Sequence, residues 1–326
     1  MEVVLGIDVG GTGLRAALAP ASGEPVPIAR AGHATGLRRG AGGLDGVVPA
    51  AAAIAAELLA RDEAGDEAGG EHRVRAVALG CAGAADLGDE LRVHLPAALR
   101  AVCGPAIVVV ASDMVTAFFG ALAGSPGVTL SVGTGAVAFG GDLAGEWRRA
   151  DGRGDILGDL GGGAWLGRAG MVAALRASDG RRGGSPVLLR RLLSAYGEPA
   201  ALIRELNGRT DRAAVLAGFA PAVLDAARSG DPAALEIRAE AGRHLADTAL
   251  AARPRGLAGR VALTVVGGLP DHHADFRAEL VERLDPGFAV RPAAGPPVDG
   301  ALRLAADAAA GRVPPGLAHY GVQMSG

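Results

Sequence analysis

The 326 residues exceed the needs of one small core and suit two units of about 100–200 residues each. Hydrophobic residues make up 49 % and aromatics only 3 %, so the interior is expected to be built from Ala, Val and Leu. Basic and acidic residues, 32 against 35, nearly cancel to a net charge of -3, which gives no electrostatic reason for a nucleic-acid or anionic-membrane partner.

Val3 to Val9 reads as a buried strand and Leu14 to Ala19 as a second, joined by a Gly-rich turn, and Ser22-Gly23-Glu24-Pro25 marks a reversal. The chain runs straight into that first strand, without a basic stretch and a long apolar one ahead of it, so no secretory signal is expected. No run reaches the roughly 18 apolar residues of a spanning helix, and the cytoplasm is the expected location. Val47 to Ala60 has the Ala/Leu content of a helix, and the acidic, Gly-rich run Asp62 to Glu71 that of a solvated loop. Val74 to Leu79 and Ala106 to Ala111 are β-branched runs typical of central strands. Cys81 and Cys103 are too few and too unpatterned for a disulfide framework or a zinc site.

From residue 128 the opening pattern returns: Val128 to Val132, the turn Gly133-Thr134-Gly135, then Ala136 to Phe139. The echo suggests two related halves. Ser178 to Pro186 reads as a loop. Asp231-Pro232 should start a long helix, with the acid as N-cap and proline first, and Ala234, Ile237, Ala241, Leu245 and Thr248 share its inner face. Val261 to Val266 is a last strand, ending in Gly267-Gly268. Strands alternating with helices indicate an α/β fold.

Three Gly-rich turns and three carboxylates carry the chemistry. In Asp8-Val9-Gly10-Gly11-Thr12-Gly13 the glycines let backbone N–H groups approach an anion, Thr12 adds a hydroxyl donor, and Asp8 could hold magnesium beside the phosphates. Gly11-x-Gly13-x-x-Ala16 also fits a dinucleotide fingerprint, but that motif must open a helix, and here a proline and a turn follow too soon. A plain tight hairpin is the remaining reading. Gly133-Thr134-Gly135 repeats the pattern, and each gains weight from the other. All 32 basic residues are arginine; without lysine neither a Walker-type P-loop nor a Schiff-base mechanism is available. Asp113 follows an apolar strand and precedes a helix-like stretch. It suits either a general base for a substrate hydroxyl or a helix N-cap. Gly158-Asp159-Leu160-Gly161-Gly162-Gly163 is a third Gly-rich element ahead of an Ala/Leu helix.

In this order the elements resemble the N-acetylglucosamine kinase / BadF-type ATPase family of the actin–hexokinase superfamily, over nearly the whole chain. The phosphate-1 segment resembles Asp8 to Leu18, the catalytic strand end Ser112-Asp113, and phosphate-2 Ser131 to Gly135. Gly158 to Gly162 is similar to the family's Gly-Asp-x-Gly-Ser segment, Gly230-Asp231-Pro232 to its Gly-Asp-Pro helix, Val266-Gly267-Gly268 to its adenosine motif, and Gly300 to Ala305 to its closing motif. The resemblance implies two actin-like (ribonuclease H-like) domains with a nucleotide cleft between them. They would span 1–112 and 113–299, with a C-terminal helix, about 300–326, packing back on the first. It implies Mg-ATP as cofactor, an amino sugar as small-molecule substrate, Asp113 as general base and a homodimer. Gly10, Gly11, Thr12, Gly13, Gly133, Thr134, Gly135, Gly267 and Gly268 would hold the nucleotide and Asp8 the magnesium. Thr35, Gly36, Cys81, Gly83, Asp113, Arg153 and Asp159 would line the sugar site.

The departures from the family pattern fall on the sugar side. Thr35-Gly36 stands where Asn is common, Cys81-Ala82-Gly83 where Ser-Gly-Gly is usual, Arg153 where Trp is frequent, and Leu160 where an acid follows Asp159. Arg153 in the cleft would favour an anionic sugar. The rival reading in the same family is an ATPase that drives electron transfer in a partner dehydratase through a cysteine-held iron–sulfur cluster. A transcriptional regulator is disfavoured, because the expected N-terminal DNA-binding helix pair and Cys-rich loop are not seen in this sequence.

Overall fold

The computed structural model describes residues 1–10, 13–33, 46–65, 72–81, 88–209 and 211–325. The first half contains β1 (Glu2–Gly10), β2 (Gly13–Pro20), β3 (Ala29–His33), α1 (Val47–Gly65), β4 (Arg73–Cys81), α2 (Gly88–Cys103) and β5 (Ile107–Ser112). There follow α3 (Asp113–Leu122), β6 (Gly127–Val132), β7 (Ala136–Gly141), β8 (Trp147–Asp151), α4 (Gly154–Leu157) and α5 (Gly163–Ser178). A helical stretch comes next: α6 (Pro186–Tyr196), α7 (Pro199–Asn207), α8 (Arg212–Ala217), α9 (Ala220–Arg228) and α10 (Pro232–Ala251). The chain closes with β9 (Val261–Val266), α11 (Gly268–His272), α12 (Ala274–Arg283), β10 (Phe288–Val290), α13 (Pro297–Ala309) and β11 (Gln323–Ser325).

The strands form two sheets, ordered β11-β5-β4-β1-β2-β3 and β10-β9-β6-β7-β8. In each, an antiparallel meander of three strands is extended on one side by two parallel strands. Apart from β11 the two halves therefore share one topology, which the repeated strand–glycine turn–strand pattern had signalled. The central strands read as continuous apolar runs because both sheet faces are covered. On β1, Val3, Leu5, Ile7 and Val9 pack toward α1 and α2, while Val4 packs toward α3 and α13.

The expected C-terminal helix, about 300–326, is shorter. It ends at Ala309, and after a 3-10 turn (Leu317–Tyr320) the chain adds β11 antiparallel to β5. The expected loop from Asp62 likewise starts later, since α1 runs on to Gly65. α13 crosses α3 where Gly120 and Gly300 meet: a Cβ on Gly300 would strike Thr116 O, and one on Gly120 would strike Pro296 O. Only glycine permits this backbone contact, which seats α3 against α13, while α13 lies directly on β1, where a Cβ on Gly6 would strike Leu302 N.

Candidate functional site

Three parallel strands, β1, β4 and β5, end together. Their register places Asp8 beside Gly80 and Cys81 beside Ser112. Open α/β sheets place ligands at such carboxyl ends. Asp8 is 5 % exposed, and its pKa is raised to about 7, first by burial and then by the nearby charge of Asp113, against a smaller opposing effect of Arg15. Arg15 is the cross-strand neighbour of Asp8 on β2, on the same face.

Asp113 is the first residue of α3, and Ser112 occupies the N-cap position without a side-chain capping bond. The Asp113 carboxylate accepts from Ser112 Oγ (3.2 Å) and from Met114 N–H (2.9 Å). Of the two roles the sequence left open, the N-cap position thus belongs to the neighbouring residue. The helix N-terminus still favours the ionised carboxylate that a base requires.

In the second sheet the turn Gly133-Thr134-Gly135 joins β6 to β7 as Gly10 and Gly13 bracket the β1–β2 connection. Gly133 N–H bonds back to Gly135 O (2.9 Å), and the carbonyls of Gly133 and Thr134 accept from Gly163 (2.8 Å) and Ala164 (2.8 Å) at the start of α5. Among the described residues the N–H groups of Thr134 and Gly135 meet no acceptor, so the turn keeps donors for an anion.

The third Gly-rich element does something else. Asp159 N–H (2.6 Å) and Leu160 N–H (2.8 Å) both donate to the carboxylate of Asp151, leaving them unavailable to a phosphate. Asp159 sits at φ +55°, a conformation that costs a non-glycine residue about 1 kcal/mol. Its carboxylate lies against Gly135, where any Cβ would strike it, and accepts from the N–H groups of Ala136 and Gly154. Burial raises the Asp159 pKa above the usual carboxylate value, only partly offset by these bonds, with Asp151 and Asp155 adding to the rise. Sequence reasoning missed Asp151; the Asp-Gly pair it forms with Gly152 was the available turn signal.

Gly267 follows β9 at φ +115°, where a Cβ would strike Val132 O at the end of β6, and Gly268 opens α11. A cavity of about 320 Å³ opens beside them, lined in part by Val266, Pro270 and Arg277. Arg153 is exposed at the start of α4, and Cys81 is buried at the end of β4. Gly11, Thr12, Thr35, Gly36 and Gly83 lie outside the described residues. Another surface cavity, of about 550 Å³ between α6 and α9, shares none of these residues. No helix among the described residues is long and apolar enough to cross a membrane.

Two sheets of one topology, with glycine turns and carboxylates at their strand ends, define the actin/hexokinase-like fold of sugar kinases. The chain belongs to the BadF/BadG/BcrA/BcrD ATPase family, which matches residues 5–301. It is similar to a candidate N-acetylglucosamine kinase from Chromobacterium violaceum, with 28 % identity, TM-score 0.67, and 93 % and 98 % of the two chains covered. A second candidate N-acetylglucosamine kinase, from Porphyromonas gingivalis, gives 20 % identity and TM-score 0.66 over 94 % and 99 %. A ROK family glucokinase from Streptomyces griseus, in complex with glucose and AMPPNP, gives 21 % and 0.52 over 93 % and 99 %. No curated protein matches the chain.

Proposed function

We infer that this protein is an ATP-dependent carbohydrate kinase that transfers the γ-phosphoryl group of Mg-ATP to a hydroxyl of an amino sugar, N-acetylglucosamine or glucosamine. The observation that carries the reading is the pairing of Asp113, at a helix start on the carboxyl edge of the first sheet, with buried Asp8 beside it. The glycine turn of the second sheet, with uncommitted donors, supports the same reading. Asp113 accepts the proton of the sugar hydroxyl as that oxygen bonds to the γ-phosphorus and the bond to ADP breaks. The donors of Gly10, Gly13, Thr134 and Gly135 neutralise phosphate oxygens, and Gly267-Gly268 brings the backbone close to the nucleoside.

The residues fit a magnesium ion. Burial first, and then the charge of Asp113 nearby, disfavour the charged form of Asp8, and a hard cation held by one carboxylate and phosphate oxygens would favour it. Asp8 would hold it, and the ion would offset charge on the transferring phosphoryl group. Residues 1–112 with α13, and 113–299, would form the two walls of a cleft that excludes water on closing. The return of α13 to the first wall is supported by its packing against β1 and β4, where α3 packs as well.

The rival role as an electron-transfer activator is less well supported. Both cysteines are buried, and burial raises the Cys103 pKa to about 11, whereas a cluster shared between subunits needs accessible thiolates. ADP release with Mg-ATP should be stimulated by one member of a panel of glucosamine, N-acetylglucosamine, N-acetylmuramic acid, glucose and a sugar acid. Preference for the acids would place Arg153 in the sugar site. Turnover independent of every sugar would sink the kinase reading in favour of the partner-driven ATPase. Asp113→Asn should keep ATP binding while lowering turnover about 10²–10⁴-fold, and an unchanged rate would remove Asp113 from the mechanism.

A further inference from the structure

The geometry points to Asp151 as a positioning residue that fixes Asp159 and makes the phosphate turn and the acceptor loop a single unit, so that nucleotide binding orders the acceptor site. The inference rests on the kinase reading above and deepens it by assigning a residue outside the nucleotide and sugar motifs.

Asp151 is the last residue of β8, paired with Val137 on β7, one strand away from the Gly133–Gly135 turn. It stands at φ +60° and is followed by Gly152 at φ +71°, so the chain doubles back over β7 instead of leaving the sheet. Gly152 N–H then bonds to Ala136 O at 2.9 Å. Arg149 braces the same reversal, donating to the carbonyls of Asp151 and Gly152. The two carboxylate oxygens of Asp151 are divided between two consecutive amides, Oδ1 to Asp159 and Oδ2 to Leu160. A carboxylate offers an acceptor at both positions, whereas an amide side chain would turn its NH2 donor toward one of the two N–H groups. The fit also depends on Gly158, whose hypothetical Cβ would collide with Asp151 Oδ1.

Held this way, Asp159 joins the two loops from both of its ends. Its carboxylate lies against Gly135, the last residue of the phosphate turn, while its carbonyl accepts from Gly162 N–H at 3.0 Å. Gly163 and Ala164 then return the chain to the carbonyls of Gly133 and Thr134. The bonds close a ring from turn to loop and back. A ligand that stiffens Thr134 and Gly135 therefore stiffens Asp159 through this ring, and Asp151 is the side chain that pins Asp159 in it through its amide. The second brace of the loop, the ion pair of Asp155 with Arg212 at 3.0 Å, holds α4 from outside without touching the Asp159 amide.

Amide hydrogen exchange on the full chain tests this without a sugar. Adding magnesium with a non-hydrolysable ATP analogue should slow exchange across residues 158–163 in the wild type, and Asp151→Asn should abolish the slowing at an unchanged analogue Kd. Gly158→Ala displaces the carboxylate without removing it and should act alike; it decides the matter if Asp151→Asn fails to fold. Slowing that persists in the folded variants, or is missing in the wild type, overturns the inference. With the stimulating sugar, kcat/KM should fall on the order of 10²-fold in both variants while Arg212→Gln changes it little. An equal fall in all three would reduce Asp151 to a loop brace and overturn the inference too. A wild type inert with every sugar would sink the kinase reading alone, because the exchange result stands on the nucleotide.

Discussion

Asp8 shows at the scale of one side chain how a site departs from what stability alone would select. A carboxylate buried beside a second one is poorly compensated, and its pKa rises from 3.8 to about 7. The folded chain then holds this proton more tightly than the unfolded chain. Stability linked to it is complete below about pH 4 and is lost as pH climbs through about 7, by about 4 kcal/mol at most. Asn mimics the protonated acid, so Asp8→Asn should melt well above the wild type at pH 8 in chelator, and the gain should vanish near pH 5. Thermal melts at the two pH values check it; an equal gain at both would show that burial of the charge is not the cause. The same variant should lose Mg-dependent turnover, the usual exchange between stability and activity at such sites.

At the scale of elements, helix ends in the second half are joined through one acid. Asp231 caps α10, accepting from Ala234 N–H at 2.9 Å, and its other oxygen accepts from Ser185 Oγ at 2.8 Å. Ser185 is itself the cap of α6, accepting from Leu188 N–H at 3.0 Å. The Asp-Pro start of α10 was legible in the sequence because capping is local; that the same carboxylate organises a helix 46 residues away was not. Asp231→Ala should therefore cost more than an ordinary cap, about 2–3 kcal/mol in urea unfolding, since it leaves the buried Ser185 hydroxyl unpaired. Ser185→Ala should cost about 1 kcal/mol, and equal costs would argue against the shared role. Strands such as β4, β5 and β9 were also readable, being continuous apolar runs. β8 was not: Trp147-Arg148-Arg149-Ala150-Asp151 has no strand period, and only pairing to β7 makes it one.

For the whole molecule, the scarce aromatics are concentrated where the halves meet. Phe118, Phe119, Phe139, Trp147 and Tyr320 form one cluster from α3, β7, β8 and the C-terminal segment, with Phe139 and Trp147 stacked at 5.5 Å. The C-terminal segment is fastened to it, as Trp147 Nε1 donates to Pro315 O at 2.7 Å and Tyr320 Oη to Trp147 O at 2.6 Å. Trp147→Ala opens a cavity in this junction and should cost about 3–5 kcal/mol by denaturant unfolding. Saturating Mg-ATP, at about 100 times its Kd, should return about 2.7 kcal/mol of that by binding only the folded chain. No rise in melting temperature with Mg-ATP would contradict the nucleotide site.

The sequence by itself determined what depends on near neighbours and on pattern. The two strand–glycine turn–strand hairpins, the apolar central strands, the Asp-Pro helix start and the exclusion of lysine chemistry were all settled by residue order. The motif order was enough to state the family and to name Asp8, Asp113 and Asp159. Tertiary structure alone decided the surroundings of these, because a carboxylate's pKa and partners depend on what folding brings beside it. It set Asp113 near Asp8, turned Asp159 onto Gly135, and gave Asp151, an unremarked acid in a polar stretch, the amides of Asp159 and Leu160. It also replaced the end of the expected C-terminal helix with a strand, since the exposed edge of β5 offered backbone partners that no local propensity could reveal.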